Sequence, residues 1–220
     1  METSALACSP EANCTLCPRL AAFRDANRAA FPDWHNAPVP SFCPTSSTLP
    51  VKLLIVGLAP GLRGANQTGR PFTGDYAGDL LYATLGKFGW TKGKFGARPD
   101  DGLELIGCQI TNAVRCVPPQ NKPVGAEIAA CRPFLANTIK ALPDLRVILA
   151  LGTIAHGTVL SALGMRKAAW PFGHGAVHAL PGGIAFADSY HCSRYNTNTR
   201  RLTTPMFEDV FEKVAEIIND

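Results

Sequence analysis

Four short apolar runs along the chain predict buried β-strands. They are VKLLIVG (51–57), LIGCQIT (105–111), RVILALG (146–152) and GIAFADS (183–189). Their hydrophobicity is continuous rather than alternating, which is typical of strands covered on both faces. Helix-compatible stretches lie between them. The pattern therefore predicts the α/β class: a three-layer α/β/α domain around a central, mainly parallel sheet of four strands.

The C-terminal segment has the spacing of an amphipathic helix. Thr204 and Pro205 stand where an N-cap and a first-turn residue are expected. The apolar positions that follow recur at helical intervals of three, four and seven: Phe207, Val210, Phe211, Val214, Ile217 and Ile218. We expect this helix to pack on the sheet.

Three loops leave the predicted strands at one edge of the sheet. They are TGRPFTGDYAGD (68–79), TNAVRC (111–116) and DSYHCSRYN (188–196). The working site of an open parallel sheet lies beyond the carboxyl ends of its strands, so we expect the three loops to converge. The first loop is rich in glycine, which favours a sharp turn or a close approach to a ligand.

The composition fits one globular domain over residues 1–220, with a cysteine-containing N-terminal region over residues 1–50. Of the 220 residues, 46% are hydrophobic and 17% are charged, which excludes a disordered chain. The formal net charge of +4 permits a polyanionic partner but does not require one.

The most apolar window, residues 147–165, is about long enough to span a bilayer. It contains a histidine, several hydroxyl groups and three glycines, so a buried strand followed by a helix is the better interpretation. The N-terminus lacks the basic start and apolar stretch of a secretory signal. We expect no membrane association and a cytoplasmic location.

Four of the eight cysteines have a spacing that suggests a metal site. Cys14 and Cys17 form a C-x2-C pair, and Cys131 follows Cys116 after fourteen intervening residues. Four thiolates hold either an iron-sulfur cluster or a tetrahedral zinc ion, and spacing alone does not decide between them. Unrelated buried thiols are the alternative. Cys8 is a rival ligand, and Cys108 is expected in the core.

Three ordered segments resemble a known family. The segments VGLAPGLRGANQTGRPFTGD (56–75), ITNAVRCVPPQNKPVGAEIAACRPFL (110–135) and DSYHCSRYNTNTRRLT (188–203) resemble successive motifs of the iron-sulfur uracil-DNA glycosylases, most closely the family 5 (type b) branch. The resemblance runs from Cys14 to about Thr203. It implies a [4Fe-4S] cluster on Cys14, Cys17, Cys116 and Cys131. It also implies that uracil is released from DNA, with hypoxanthine and xanthine as further candidate bases.

Glycosidic hydrolysis builds positive charge on the sugar and negative charge on the departing base. A carboxylate near the sugar stabilises the positive charge, and a hydrogen-bond donor near the base stabilises the negative charge. The resemblance implies Asp75 and His191 in these catalytic roles. Without it, Asp75 is a turn residue bonded to the local backbone and His191 a structural histidine.

The resemblance also implies residues that hold the extruded base and the DNA. Phe72 would stack on the base, and the amide of Asn112 matches the O4 and N3–H groups of uracil. Gly57 and Ala59 would line the same pocket. One basic loop would hold the DNA through Arg194, Tyr195, Asn196, Arg200 and Arg201. Otherwise Phe72 is core, Asn112 a turn or cap residue, and the loop a solvated surface.

Some positions differ from the pattern of the related enzymes. Leu58 stands where family 4 enzymes have a glutamate, Gly61 to Arg63 differ from the usual family 5 residues, and Cys192 follows the motif histidine. No lysine of the motifs is placed to form a Schiff base, so we expect a monomeric, monofunctional hydrolase without strand cleavage. The alternatives are a non-enzymatic iron-sulfur or zinc DNA-binding protein and a nucleotide-binding hydrolase that uses the glycine-rich first loop.

Overall fold

A mainly parallel sheet forms the centre of the fold. The computed structural model describes residues 8–45 and 49–220. Within them the central strands run in the order β4 (Cys108–Asn112), β1 (Leu53–Gly57), β5 (Val147–Leu151), β7 (Ala185–Ser189) and β6 (Val177–Ala179). All neighbours pair in parallel except β6, which is antiparallel to β7. A separate hairpin pairs β2 (Thr91–Lys92) with β3 (Glu104–Leu105).

The predicted class and parallel sheet are confirmed, but the predicted number of strands is wrong. The sheet described has five strands, not four. The additional strand, β6, has three residues, and Val177 is exposed on it. Such a short edge strand is held by backbone pairing with β7 and leaves no apolar run in the sequence.

One strand prediction began too early. The run 105–111 contains Gly107, whose φ of +62° interrupts the extended backbone. Leu105 therefore pairs within the hairpin, and β4 begins at Cys108, which lies in the core as expected.

Helices cover both faces of the sheet. They are α1 (Pro18–Ala30), α2 (Ala65–Thr68), α3 (Tyr76–Lys87), α4 (Gly125–Lys140), α5 (Thr153–Ala162), α6 (Arg194–Asn198) and α7 (Thr204–Asn219), with 3₁₀ turns at Pro119–Asn121 and Lys167–Ala169. Along β1, Leu53 and Ile55 pack with α3 and α7, whereas Leu54 and Val56 pack with α4 and α5. Because both faces are buried, the strand reads as a continuous apolar run.

The C-terminal helix is confirmed, although its cap is shifted by one residue. The N-cap is Thr203, not Thr204, since its hydroxyl accepts a hydrogen bond from the backbone N–H of Met206 at 3.4 Å. Thr203 has an extended backbone, while Thr204 is already helical.

The apolar window at 147–165 forms β5 followed by α5, as expected. Within residues 8–45 and 49–220, no helix combines the length and the hydrophobicity needed to cross a membrane. The expectation of a single domain over residues 1–220 stays a prediction.

Candidate active site

The three predicted loops meet in one pocket at the carboxyl edge of the sheet. The pocket has about 260 Å³ of empty space, part of it open to solvent. Its walls are Ala59, Pro60, Gly61, Ala65, Phe72, Asp75, Ala77, Asn112 and His191. The predicted convergence is confirmed, and both candidate catalytic side chains face the same cavity.

Asp75 is fixed at the start of helix α3. It is the N-cap of that helix, and its Oδ1 accepts a hydrogen bond from the backbone N–H of Ala77 at 3.2 Å. A methyl group on Gly61 would lie 3.0 Å from Oδ2, and one on Gly64 would clash with the carboxylate. Burial raises the pKa of Asp75 above its ordinary value. The carboxylate therefore caps the helix and also faces the pocket. Its hydrogen bond to the local backbone does not remove it from the pocket.

His191 lies across the pocket beside Phe72. The two ring centroids are 5.8 Å apart, and the planes are inclined by 28°. Burial lowers the pKa of His191 to about 4, so the imidazole is neutral at neutral pH. Within the described part of the chain, its ring nitrogens make no hydrogen bond, which leaves them free for a ligand.

Asn112 lines the pocket, whereas Gly57 lies against the side chains of Asn112 and Phe72 and is not itself part of the pocket wall. Gly57 and Asn112 are paired across β1 and β4, and Asn112 is almost fully buried. A methyl group on Gly57 would lie 2.5 Å from Oδ1 of Asn112 and 2.6 Å from Cζ of Phe72. The amide of Asn112 makes no side-chain hydrogen bond to any described residue, so its donor and acceptor are available to a base.

A buried ion pair supports the loop that carries Phe72 and Asp75. The guanidinium of Arg70 donates to both carboxylate oxygens of Asp101, at 2.8 and 2.7 Å, and to the hydroxyl of Thr73 at 2.8 Å. Phe72 itself has a φ of +52°, in the left-handed region that non-glycine residues rarely adopt. The pair therefore contributes to holding a strained turn. This pair was not predictable from the sequence, because Asp101 lies 31 residues from Arg70 and no local pattern connects them.

The four predicted cysteine ligands line a second cavity. Cys14 and Cys17 precede and cap α1, Cys116 follows β4, and Cys131 lies on α4. The cavity has about 330 Å³ of empty space, part of it open to solvent, and its other walls are mostly apolar, including Leu20, Val114 and Phe134. The rival Cys8 does not line it.

The pKa values of two cysteine thiols in this cavity are raised. Burial, together with the neighbouring thiols, raises the pKa of Cys116 to about 12 and that of Cys17 to about 11. The backbone N–H of Arg115 donates to Sγ of Cys131 at 3.4 Å. Among the described residues, no three Cys, His, Asp or Glu side chains are grouped closely enough to hold a single metal ion.

The family model of the uracil DNA glycosylase superfamily matches residues 44–215. The chain belongs to this superfamily. The predicted family is thereby confirmed, and with it the predicted enzyme class.

Curated relatives agree with this assignment. The chain is 46% identical over 210 residues to the type-5 uracil-DNA glycosylase of Thermus thermophilus, covering 93% of each chain. It is 40% identical over 212 residues to the type-5 enzyme of Mycobacterium bovis, covering 93% of this chain and 78% of that one. It is 36% identical over 207 residues to the type-5 enzyme of Pyrobaculum aerophilum, covering 92% and 88%.

In this member of the superfamily, the predicted DNA-binding loop forms α6 and the turn after it. Asn196 donates from Nδ2 to the carbonyl of His191 at 2.8 Å, so it supports the backbone of the active-site histidine. Tyr195 is 72% exposed, and Arg200 is also exposed. The guanidinium of Arg194 lies 5.3 Å from the ring centroid of Tyr76, and that of Arg201 lies 4.5 Å from that of Tyr190. The loop places cations and an exposed ring next to the pocket.

Proposed function

We propose that the protein hydrolyses the N-glycosidic bond between uracil and deoxyribose in DNA and so initiates base excision repair. The observation that carries this proposal is the position of Asp75 and His191 in one pocket. The type-5 names of the relatives support the same substrate.

The two catalytic candidates meet the two charges of the transition state. The carboxylate of Asp75 stabilises the cationic sugar and orients or deprotonates water. The neutral imidazole of His191 donates a hydrogen bond to the carbonyl oxygen of the departing base. The neutral imidazole of His191 keeps one ring N–H that can donate, so this role does not require an imidazolium at neutral pH.

The remaining pocket residues select and hold the extruded base. The amide of Asn112 accepts from N3–H and donates to O4 of uracil, whereas cytosine presents the reverse pattern. Phe72 stacks on the base, and the glycine at position 57 leaves the space that the side chains of Phe72 and Asn112 occupy, while Ala59 lines the pocket beside the base. Discrimination between uracil and cytosine would then depend on the orientation of the side-chain amide of Asn112.

The loop after β7 is proposed to hold the DNA. Its arginines contact DNA phosphates: Arg194, Arg200 and Arg201. Tyr195, which is exposed, fills the gap left by the extruded base. Asn196 supports the backbone of His191 and faces the DNA strand. We further propose that the protein acts as a monomer.

The cysteine cavity is proposed to hold a [4Fe-4S] cluster. The donor set fits, since Cys14, Cys17, Cys116 and Cys131 face one shared space with mostly apolar walls. Thiolates are the usual ligands of such clusters. When bound, the cluster would act structurally, joining the segment before α1 to α4 and to the loop after β4.

Hypoxanthine and xanthine are proposed as additional substrates, because the loop at Gly61 to Arg63 differs from the family 5 pattern beside Asp75. Rates on duplexes with uracil, hypoxanthine or xanthine at the same position measure this range directly. Equal inactivity on both purines would restrict the enzyme to uracil.

The experiment that tests the proposed activity is release of free base. A duplex with one uracil is incubated with the protein, and free uracil and alkali-labile abasic sites are measured; the same duplex with thymine is the control. Release from the first duplex alone, with no strand break before alkali, supports a monofunctional glycosylase. Binding to both duplexes without release would favour the non-enzymatic DNA-binding alternative.

A further inference from the structure

A third cavity lies beside the active site, between α4, α5 and the 3₁₀ turn at 167–169. This α4–α5 cavity has about 900 Å³ of empty space, part of it open to solvent. It is lined by Gly125, Ile128, Arg132, Thr153, Ile154, His156, Gly157, Thr158, Lys167, Trp170, Pro171 and Phe172. None of these residues has a role in the pocket described above.

Two cations in the α4–α5 cavity have no anionic partner. Neither Arg132 nor Lys167 forms an ion pair with a described residue, and Nε of Arg132 is buried without a hydrogen-bond partner. A buried guanidinium N–H that is not hydrogen-bonded is costly, which points to a ligand that completes it. The side chain of Lys167 also lines the cavity and packs near Gly157 of α5.

Within residues 8–45 and 49–220, no carboxylate lines this cavity to neutralise the two cations. Behind its wall, Oδ1 of Asp188 lies 2.7 Å from Nδ1 of His156, which lines the cavity. The other oxygen of Asp188 accepts from the backbone N–H of Gly173 at 3.3 Å and lies 3.7 Å from Nε2 of His178. The carboxylate is therefore fully engaged away from Arg132 and Lys167.

The cavity adjoins the catalytic pocket through the turn between β5 and α5. A methyl group on Gly152 would lie 3.6 Å from Cβ of His191, and the next residue, Thr153, is on the cavity wall. Gly152 is also the N-cap of α5, so among the described residues no N-cap side chain accepts from the first N–H groups of this ten-residue helix.

We propose that the α4–α5 cavity binds a phosphodiester of the DNA strand that carries the target nucleotide, through Arg132 and Lys167. The proposal rests on the proposed function for its ligand and adds a DNA contact to those proposed for the loop after β7. Guanidinium and ammonium groups, threonine hydroxyls and helix N-termini are the groups that proteins use to hold DNA phosphates. Ile154, which is 46% exposed at the rim, would pack against the sugar of the same nucleotide.

The salt dependence of DNA binding tests the two cations without relying on catalysis. The probe is a uracil-free duplex that contains a stable abasic-site analogue, titrated from 50 to 200 mM salt. Arg132→Gln and Lys167→Gln should each reduce the slope of log affinity against log salt by about 1. The affinity lost over this range would then be about threefold to fourfold smaller than for the unchanged protein.

Arg146→Gln is the matched control. It removes the same charge from an exposed arginine at the beginning of β5, whose guanidinium contacts only the carbonyl of Ile217 among the described residues. This variant should keep the original slope. If Arg132→Gln and Lys167→Gln both behave like Arg146→Gln, the proposal is wrong. Thermal unfolding checks that all three variants are folded, and Lys167 is exposed, so its replacement leaves the core intact.

Neutral linkages identify the phosphate. Single methylphosphonate groups replace each linkage near the abasic analogue in turn. One of them should weaken binding by the unchanged protein but not by Arg132→Gln, which is the coupling expected of a direct contact. If every linkage affects both proteins equally, Arg132 does not hold a phosphate. Absence of uracil release would contradict the proposed activity separately, since these measurements require binding alone.

Discussion

Gly57 lies directly against the ring of Phe72: a methyl group at this glycine would come within 2.6 Å of the ring carbon Cζ. The same methyl group would lie 2.5 Å from Oδ1 of Asn112. Both distances are shorter than any stable contact, so the side chains of Phe72 and Asn112 occupy their positions only because residue 57 has no side chain.

Gly57→Ala should therefore impair excision more than folding. Displacing the ring of Phe72 and the amide of Asn112 by about 1 Å should lower kcat/KM for a uracil-containing duplex on the order of 100-fold. Gly86→Ala is the control, since its methyl group would lie 3.4 Å from Oγ1 of Thr91, away from the pocket. Steady-state excision by both variants measures the effect, and equal rates would show that the pocket adapts to the methyl group.

The buried pair of Arg70 and Asp101 leads to a prediction about stability. Asp101→Asn leaves the guanidinium of Arg70 without its counter-charge, which should lower the free energy of unfolding at neutral pH by about 3 kcal/mol. Asp100→Asn, at an exposed neighbouring carboxylate, should change it by less than about 1 kcal/mol. Urea unfolding of the two variants measures the difference.

The pH dependence of this effect has a defined sign. The Arg70 guanidinium holds the pKa of Asp101 well below its ordinary value, so the contribution is fully present above the unfolded-state value of about 3.9. The gap between the unchanged protein and Asp101→Asn should shrink as the pH falls below that value. A gap that is constant down to the lowest pH at which both fold would contradict the ionic origin.

Much of the fold followed from local patterns in the sequence. The strands were predictable because both sheet faces are buried, and the loops that follow three parallel strands necessarily emerge at one edge. β6 was not predictable, since its three residues are held by backbone pairing with β7 and Val177 faces solvent. The cap of α7 was misplaced because Thr203 and Thr204 are equivalent as residue types.

The site was predictable as far as its residues belong to the strand-end loops. Asp75, His191 and Asn112 each follow or end a strand or begin a helix in one of the three motifs. Arg70 pairs with Asp101, and Arg132 and Lys167 line one cavity, although the members of each pair are far apart in the chain. Their significance depends on which charges meet in space, and no spacing rule encodes that.

The neutral state of His191 predicts the shape of the pH–rate profile. Because burial lowers its pKa to about 4, excision should show no titration of His191 near the ordinary histidine value of about 6.5. On the acidic side, activity should fall as His191 gains a proton and as Asp75, whose pKa is raised, loses its charge. Single-turnover rates across this range test the point. An inflection near 6.5 that His191→Gln abolishes would show a catalytic imidazolium.

The lining of the cysteine cavity indicates which cysteine substitutions should lower the iron content of the protein. Cys14→Ser, Cys17→Ser, Cys116→Ser and Cys131→Ser should each lower the iron content and the visible absorbance of the purified protein. Cys8→Ser and Cys43→Ser should not, since neither residue lines the cavity. Elemental analysis measures both metals. Stoichiometric zinc without iron would contradict the cluster, and iron loss in Cys8→Ser would make that residue a ligand.

We propose that the carboxylate of Asp75 is required for hydrolysis. Two single substitutions at the start of α3, one at Asp75 and one at Asp79, test this role. Asp75→Asn keeps an oxygen that can cap α3, while Asp79→Asn removes the same charge from an exposed position in the first turn. Single-turnover release of uracil should fall on the order of 100-fold to 10,000-fold in Asp75→Asn, with DNA binding retained, and should stay near the original rate in Asp79→Asn. Near-normal release by Asp75→Asn would contradict the account.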